Sequence, residues 1–415
     1  MEDSQKKQGF FYGWVIVLAG TLIMASVMGI IYNCFSQFIK PVCEELGFSR
    51  RAMSMNQTIV SLVQVLIAFG WGWILKNVNI KRLMLLISVV GPVGFFCYSF
   101  CSKIWMFYGI SVLMSCTLTL LSVLPFSYII SNWFVEKRGL ATGICFMGSG
   151  LGGMILNPML GVWLQSYGWR MSFRILAVIM GVVAIPCVLL VKIRPGEKGL
   201  KALGADRVSG SSEGDEDGIT LAEAKKMPKF WILACCSMGV NMGLSSLVQT
   251  LSPHLTDNSY SVTFAAAMVS VSMGAMALGK ILLGQLFDML GTRRATKFSL
   301  TCAFLGLMGM LFCKVTPLLG LIVLGIGFGC AFGTVGNPIV VQNVFGKRDF
   351  AAIMGLYTAF CNIGSAVAPT ANGAVFDFFG SYRPAYVVLA AVVAVSFICF
   401  SVYLPKGDKK ASKAK

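Results

Sequence analysis

Long apolar stretches recur along almost the whole chain, and they constrain its fold more than any other feature. A stretch of about 20 apolar residues is long enough to cross the hydrocarbon core of a bilayer as a helix. Only 12% of the residues are charged, whereas a water-soluble domain has about a quarter. The first apolar run lacks a small-residue cleavage site and is longer than a signal peptide, so we expect it to be retained. The sequence therefore predicts an all-α membrane protein.

We predict twelve transmembrane helices, joined mostly by short loops. One connection, residues 194–228, is long, polar and rich in Gly and Ser, which predicts a flexible linker with a short amphipathic helix at Leu221–Lys226. The predicted domains are an N-terminal six-helix bundle (1–193), this linker (194–228), a C-terminal six-helix bundle (229–404) and a tail (405–415). The predicted spans are 11–38, 52–75, 83–101, 104–133, 139–165, 172–193, 229–254, 260–288, 295–314, 317–342, 350–376 and 383–404.

The distribution of Lys and Arg predicts the orientation of these spans. With both termini in the cytoplasm, the cytoplasmic loops, the linker and the tails hold 25 of the 34 basic residues, and the outer loops hold 8. This bias is the positive-inside rule. We therefore expect a multi-pass protein of the cytoplasmic membrane, and we interpret the net charge of +17 as a topology signal and not as a surface for nucleic acid. The remaining basic residue is Lys280.

The residues that enzymes and metal sites need are sparse in this chain. The fourteen cysteines lie mostly in apolar segments and form no Cys-x-x-Cys pair, and there is one histidine, His254. This pattern favours cysteines that pack between helices over cysteines that bind a metal. We recognise no nucleophile–base pair, metal cluster or nucleotide-binding loop, so we expect neither an enzyme nor a cofactor. His254, near the outer end of the seventh span, is expected at the surface.

Three landmarks recur at a single offset of 212 residues, which indicates an internal duplication. Because six spans separate the two copies, both halves have the same orientation in the membrane. Transporters built from parallel repeats have their substrate site between the halves, near the midplane of the bilayer. The paired landmarks are Gly72 and Gly284, Gly143 and Gly355, and Gly161 and Gly373.

The stretch GQLFDMLGTRR at the end of the eighth span resembles the loop motif G-x-L-x-D-x-x-G-x-R-R of the major facilitator superfamily. The resemblance implies two six-helix bundles and transport by alternating access. Asp288 is then expected to face the positive N-terminal end of the fifth span, which begins near Arg138. In the first half Gly72 is retained, whereas Lys76 replaces the acid. The matching residues are Gly284, Leu286, Asp288, Gly291, Arg293 and Arg294.

Shorter stretches are similar to the monocarboxylate and oxalate/formate transporter branch: FYGW in span 1, WFVEKRGLATG after span 4 and GLYTAF in span 11. In that branch, a basic residue four positions before the first glycine of the loop binds the substrate carboxylate. Lys280 stands four positions before Gly284, so the resemblance implies that Lys280 binds an organic anion. Phe360 replaces a second lysine of the oxalate-type members, which favours a monoanion. Met276 replaces an aspartate of animal carriers, so a carboxylate-based proton relay is missing.

Lys280 also stands out on physical grounds. A cation near the centre of a membrane helix costs roughly 2.5–3.5 kcal/mol on insertion scales. Lys280 precedes Asp288 by eight residues, or about 12 Å along the helix, which a lysine side chain does not easily cover. Snorkelling to the cytoplasm and a structural ion pair nevertheless remain alternatives to substrate binding.

Other polar residues within the spans are candidates for the rest of the substrate site. For each of them, a hydrogen bond between helices is the alternative interpretation. Symport with protons, exchange and uniport all remain open, and the resemblance favours symport. A larger amphipathic anion, a neutral substrate and a non-transporting sensor are further alternatives, and we expect a monomer. The candidates are Tyr32, Asn33, Thr119, Asn241, Tyr357 and Asn362.

Overall fold

A computed structural model describes residues 11–203 and 218–405. Within these residues the chain is helical almost throughout. Three π-helical segments interrupt the α-helices: Gly29–Cys34 between α1 and α2, and Gly325–Gly329 and Phe332–Gly336 between α12 and α13. The α-helices are α1 (Tyr12–Met28), α2 (Phe35–Leu46), α3 (Arg50–Asn77), α4 (Ile80–Cys97), α5 (Ile104–Leu120), α6 (Val123–Trp133), α7 (Arg138–Leu190), α8 (Leu221–Lys226), α9 (Pro228–Asp257), α10 (Val262–Leu290), α11 (Thr292–Leu311), α12 (Leu319–Leu324), α13 (Asn337–Phe345), α14 (Phe350–Phe379) and α15 (Arg383–Tyr403).

These helices form the twelve predicted spans, six in each bundle. The first span combines α1 with α2, the fourth combines α5 with α6, and the tenth combines α12 with α13. Helix α7 holds spans five and six, because its 53 residues are interrupted at Gly168, where φ is 74° and ψ is 173°. The ninth span, α11, is less apolar than the others because it carries Arg293, Arg294 and Lys297 near its start.

The 212-residue repeat is visible in the backbone. Helices α4 and α11 begin at Ile80 and Thr292, and helices α7 and α14 begin at Arg138 and Phe350. Both pairs of helix starts have the spacing that the glycine landmarks predicted. The duplication is therefore visible in the starts of these helices as well as in the glycine landmarks.

Ser259 is a position at which the two repeats differ in residue type but share the same φ. It has φ of 70°, as does its repeat partner Gly47, and this left-handed region costs a non-glycine residue about 1–2 kcal/mol. We expect Ser259→Gly to raise the melting temperature of the detergent-solubilised protein, with a gain below about 1 kcal/mol because glycine also frees the unfolded chain. Gly47→Ala, where an added Cβ meets nothing within 4 Å, should lower it. Two unchanged melting temperatures would contradict this account.

The short linker helix has the bounds that the sequence predicted, Leu221–Lys226. Its N-terminus carries a capping box, in which the hydroxyl of Thr220 accepts from the N–H of Glu223 at 3.3 Å and the carboxylate of Glu223 accepts from the N–H of Thr220 at 2.7 Å. This reciprocal pairing satisfies two backbone donors that the first turn leaves without partners. The central part of the predicted linker, residues 204–217, lies outside the described residues.

Both ends of the described helical region lie on one side of the molecule, where the two bundles touch. Here α7 packs against α10 so closely that a Cβ added to Gly139 would overlap the carbonyl oxygen of Gly284. Helix α3 packs against α14 in the same way, because a Cβ at Gly72 would lie 2.5 Å from the Cβ of Ala352. The motif glycines thus permit close approach of the bundles, and we call this the closed side.

The bundles separate toward the opposite side. Gly161 on α7 and Gly373 on α14 are repeat partners that lie near the other ends of these helices. A Cβ at Gly161 would approach only Gln37 of its own bundle, at 3.9 Å, and a Cβ at Gly373 would meet nothing within 4 Å. We call this the open side. We therefore interpret the structure as a state in which the interface is accessible from the open side.

His254 occupies a different environment from the one expected. Its side chain is only 2% exposed, its Nε2 lies 2.9 Å from the carbonyl oxygen of Met310, and its ring packs edge-on against Tyr386. The prediction of a surface position is wrong, because the end of α11 and the start of α15 cover this part of α9.

Candidate functional site

Lys280 lies on α10 at the interface between the two bundles, and its side chain is 2% exposed. Its Nζ donates to the Oγ of Ser149 at 2.6 Å and to the carbonyl oxygen of Phe146 at 3.3 Å. Both acceptors belong to α7 of the opposite bundle. Because the ammonium points into the interface, the snorkelling alternative does not describe this residue. Among the described residues it has no carboxylate partner, so both of its acceptors are neutral.

Ser149 connects Lys280 to the first span. Its hydroxyl donates to the carbonyl oxygen of Phe146 at 3.0 Å, and its own carbonyl oxygen accepts from the Nδ2 of Asn33 at 2.9 Å. Asn33 belongs to the π-helical segment Gly29–Cys34. We call Lys280, Ser149 and Asn33 the lysine cluster. It joins spans one, five and eight. The predicted residue Asn33 is linked to Lys280 through Ser149.

The glycine-rich stretch around Ser149 allows these three spans to meet. A Cβ at Gly148 would overlap the carbonyl oxygen of Thr21 on α1, and a Cβ at Gly152 would overlap that of Ala25. On the other face of α7, a Cβ at Gly150 would lie 3.0 Å from the Cβ of Ala277 on α10. Small residues let membrane helices approach closely, and here they bring α1 and α10 to opposite faces of α7.

Tyr32 lies in the same π-helical segment and faces an accessible space. Its side chain is 41% exposed, although its neighbours Ile31 and Cys34 are 3% and 0% exposed. The thiol of Cys330, in the tenth span, lies near both Tyr32 and Lys280. Tyr32 is therefore an accessible side chain with buried neighbours, close to a residue of the opposite bundle.

Asn241 and Asn362 are half-buried and lie in the C-terminal bundle. The Nδ2 of Asn241 donates to the carbonyl oxygen of Ser237 at 2.8 Å, and its Oδ1 faces Gly333 in the tenth span. Asn362 makes none of the hydrogen bonds found among the described residues. Their role in a substrate site stays a prediction.

Tyr357 and Thr119 lie inside the bundles. Tyr357 is fully buried, and its hydroxyl bonds with the hydroxyl of Ser237 and donates to the carbonyl oxygen of Leu233 at 3.2 Å. Thr119 is 5% exposed and donates to the carbonyl oxygen of Ser115 at 2.8 Å. Their polar atoms are satisfied within their own bundles, so the structure does not bring these two candidates to the lysine cluster.

Helix α3 carries a polar face that was not predicted from the sequence. Ala68 and Gly72 contact α14 near the closed side. Further along the same helix, Gln57, Ser61 and Gln64 are half-buried and follow at helical spacing. These residues therefore lie on the same face of α3 as the closed contact. The polar side chains of the second span recur every three or four residues, and this spacing predicts a polar face.

Asp288 connects the bundles at the closed side. Its Oδ1 accepts from the backbone N–H of Gly139 at 2.9 Å, and its Oδ2 accepts from that of Leu140 at 2.8 Å. These donors belong to the first turn of α7, where the helix dipole favours a negative charge. The predicted contact between Asp288 and the fifth span is therefore confirmed.

The other motif residues support this contact. Gly291 has φ of 78°, which lets the chain turn from α10 into α11. Arg293 donates to the carbonyl oxygen of Ser401 at the end of α15, so it stabilises the C-terminal bundle, whereas Arg294 is exposed. Arg138 donates to the Oδ1 of Asn343 at 3.0 Å and makes a second link between the bundles.

Similarity to known proteins extends over almost the whole chain. The sequence profile of the Major Facilitator Superfamily matches residues 21–338 and 326–415. Monocarboxylate transporter 12-B of Danio rerio is 24% identical over 455 residues, which cover 100% of this chain and 94% of that protein. The oxalate:formate antiporter of Oxalobacter formigenes is 21% identical over 409 residues, which cover 96% of this chain and 93% of that protein.

Solved structures with the same fold include two transporters. The E. coli fucose:proton symporter FucP superposes with a TM-score of 0.69 at 15% sequence identity, over 95% of this chain and 100% of that one. The human organic anion transporter MFSD10 superposes with a TM-score of 0.67 at 14% identity, over 94% and 98%. At these identities the likeness concerns the fold alone.

Proposed function

Since this chain belongs to the major facilitator superfamily, we propose that it is a secondary active transporter of a small organic anion. The proposed substrate is a monocarboxylate, which crosses the cytoplasmic membrane by alternating access. The family and the fold are those of transporters rather than enzymes. The observation that carries the proposed substrate class is the buried ammonium of Lys280 at the interface of the two bundles, bonded to neutral oxygens.

The hydrogen-bonding capacity of Lys280 supports an anionic ligand. An ammonium has three N–H donors, and two of them are directed to Ser149 and Phe146 on α7. The third donor makes none of the hydrogen bonds found among the described residues, and we propose that a ligand entering from the open side accepts from it. Attraction between opposite charges is much stronger in a poorly solvated interface than in water. A carboxylate would therefore gain both a hydrogen bond and a favourable charge interaction.

The residues that replace charges in similar transporters support a single negative charge. Phe360 packs edge-on against Trp231, with ring centroids 5.7 Å apart, and supplies no second cation. Met276, one turn before Lys280 on α10, supplies no acid. One lysine without an acidic partner among the described residues matches one carboxylate better than two.

A binding experiment with matched ligands tests this proposal. Purified protein is screened by thermal shift against monocarboxylates, dicarboxylates and the neutral amides of the same acids. A ligand present at 100 times its Kd stabilises the folded state by about 2.7 kcal/mol. We expect at least one monocarboxylate to raise the melting temperature while its amide does not. Equal stabilisation by acid and amide would reject the anion and favour a neutral substrate.

Transport in proteoliposomes separates the modes of coupling. Uptake into empty vesicles driven by an acidic exterior would support proton symport. Uptake that requires substrate inside the vesicles and ignores the pH gradient would support exchange. The similarity to monocarboxylate transporters favours symport, and the oxalate:formate antiporter, at comparable identity, is an exchanger by its name.

A further inference from the structure

The bond between Lys280 and Ser149 joins the two bundles, because α10 and α7 belong to opposite halves of the repeat. Alternating access requires these helices to separate when the closed side opens. We infer that Ser149 is the resting partner of Lys280, and that the carboxylate of the substrate replaces it. Ser149 is thus a positioning residue that links substrate binding to the separation of α7 from α10. This inference rests on the proposed transport of an organic anion.

The geometry of Ser149 suits a partner that is exchanged. Its hydroxyl proton is directed to the carbonyl oxygen of Phe146 at 3.0 Å, so its lone pairs face the ammonium at 2.6 Å. Ser149 is 5% exposed and Lys280 is 2% exposed, so little water is present to replace the bond. Asn33 holds the backbone of Ser149 from the first span. The serine can therefore accept from Lys280 without any rearrangement of α7.

A carboxylate is a stronger acceptor for an ammonium than a hydroxyl is, because it adds the attraction between opposite charges to the hydrogen bond. A substrate anion at Lys280 would therefore displace Ser149 and keep the ammonium paired while the bundles separate. Without substrate, separation would leave the ammonium buried without this partner, which is strongly unfavourable. The loaded transporter should accordingly change state faster than the empty one.

An alternative geometry makes a different prediction. If the anion used only the third N–H of Lys280 and Ser149 stayed in place, the serine would stabilise the empty and loaded states equally. Removal of its hydroxyl would then leave the substrate affinity unchanged. The affinity of a variant without the hydroxyl therefore distinguishes replacement from simultaneous binding.

The experiment compares Ser149→Ala with two matched variants. Ser149→Thr retains the hydroxyl, and Ser172→Ala removes a fully buried hydroxyl of α7 that donates only to Gly168 within its own helix. We measure the Kd of the monocarboxylate found by thermal shift, and the ratio of net efflux to exchange in proteoliposomes. Ser149→Ala should bind roughly 10- to 150-fold more tightly, the factor that corresponds to one hydrogen bond to a charged group. Its net efflux should also approach its exchange rate, while Ser149→Thr and Ser172→Ala should match the wild type.

Unchanged or weaker binding by Ser149→Ala, with an unchanged ratio of efflux to exchange, would overturn the inference. A measurement without substrate tests the role of Ser149 independently of the proposed function. Hydrogen–deuterium exchange of residues 138–146 should accelerate in Ser149→Ala, because a link between α7 and α10 is lost, and should not change in Ser172→Ala. If no carboxylate binds the wild type, the proposed function fails. If a carboxylate binds the wild type but hydrogen–deuterium exchange of residues 138–146 is the same in Ser149→Ala, only the proposed role of Ser149 fails.

Discussion

Lys280→Gln is expected to reduce carboxylate affinity by about 100-fold or more and to abolish transport. Truncating one partner of a buried, hydrogen-bonded charge pair costs about 2–5 kcal/mol, which corresponds to factors from about 30 to several thousand. Glutamine is similar in length and its amide can still donate to Ser149, so packing between α10 and α7 should persist. The affinity is measured by isothermal titration calorimetry with the monocarboxylate, and transport is measured in proteoliposomes.

Two further variants test whether the effect belongs to the position and to the charge. Lys297→Gln removes a lysine of α11 that lies 5.6 Å from the ring of Phe397, within the C-terminal bundle, and should leave affinity unchanged. Lys280→Arg keeps the charge but places a planar guanidinium where a compact ammonium lies 2.6 Å from Ser149, so partial binding is expected. Normal binding and transport by Lys280→Gln would remove Lys280 from the substrate site.

The sequence predicted the fold because membrane helices leave a simple pattern. Apolar length defines each span, and the repeat shows that two halves share one design. The backbone adds detail that agrees with this, such as the positive φ at both Gly168 and its repeat partner Gly380. The linker helix was also predictable, since Thr220 and Glu223 have the spacing of a capping box.

The candidate site was less predictable, because a hydrogen-bond partner is not a property of residue type. Ser149 lies in a glycine-rich stretch, and this pattern indicates close helix packing but not a hydrogen bond to Lys280. Tyr357 is a candidate by sequence because it is a polar residue within a span, yet the hydroxyl of Ser237 satisfies it inside the bundle. A polar residue in a span points either to the interface or into its own bundle, and this direction depends on the rotation of the helix, which the sequence alone did not resolve.

The sequence also does not predict which side of the interface is accessible. Gly139 and Gly284 make close contact possible at the closed side, but the same residues must separate in the other state of a transporter that works by alternating access. A sequence that supports both states contains the contacts of each. What selects between them is a difference in free energy, and Asp288 contributes to it at an identifiable contact.

Asp288→Asn should therefore shift the protein away from the state with a closed side. Both oxygens of Asp288 accept backbone N–H groups of α7, whereas asparagine offers one oxygen and places an NH2 group against the second donor. The substitution also removes a negative charge from the positive end of the helix. The combined loss is roughly 1–3 kcal/mol, which corresponds to a shift in the population ratio of about 5- to 150-fold.

The shift is measurable because the exposed residues Asn77 and Arg348 lie at the closed side on opposite bundles. Spin labels at these positions should report a longer distance in Asp288→Asn. Asp257→Asn, which makes the same change at the far end of α9, should leave it unchanged. Substrate affinity should change little beyond the effect of the population shift, while transport slows. Because the repeat partner of Asp288 is Lys76, the first half has no equivalent acid to compensate. An unaltered distance in Asp288→Asn would mean that the contact with α7 does not set the balance between the two states.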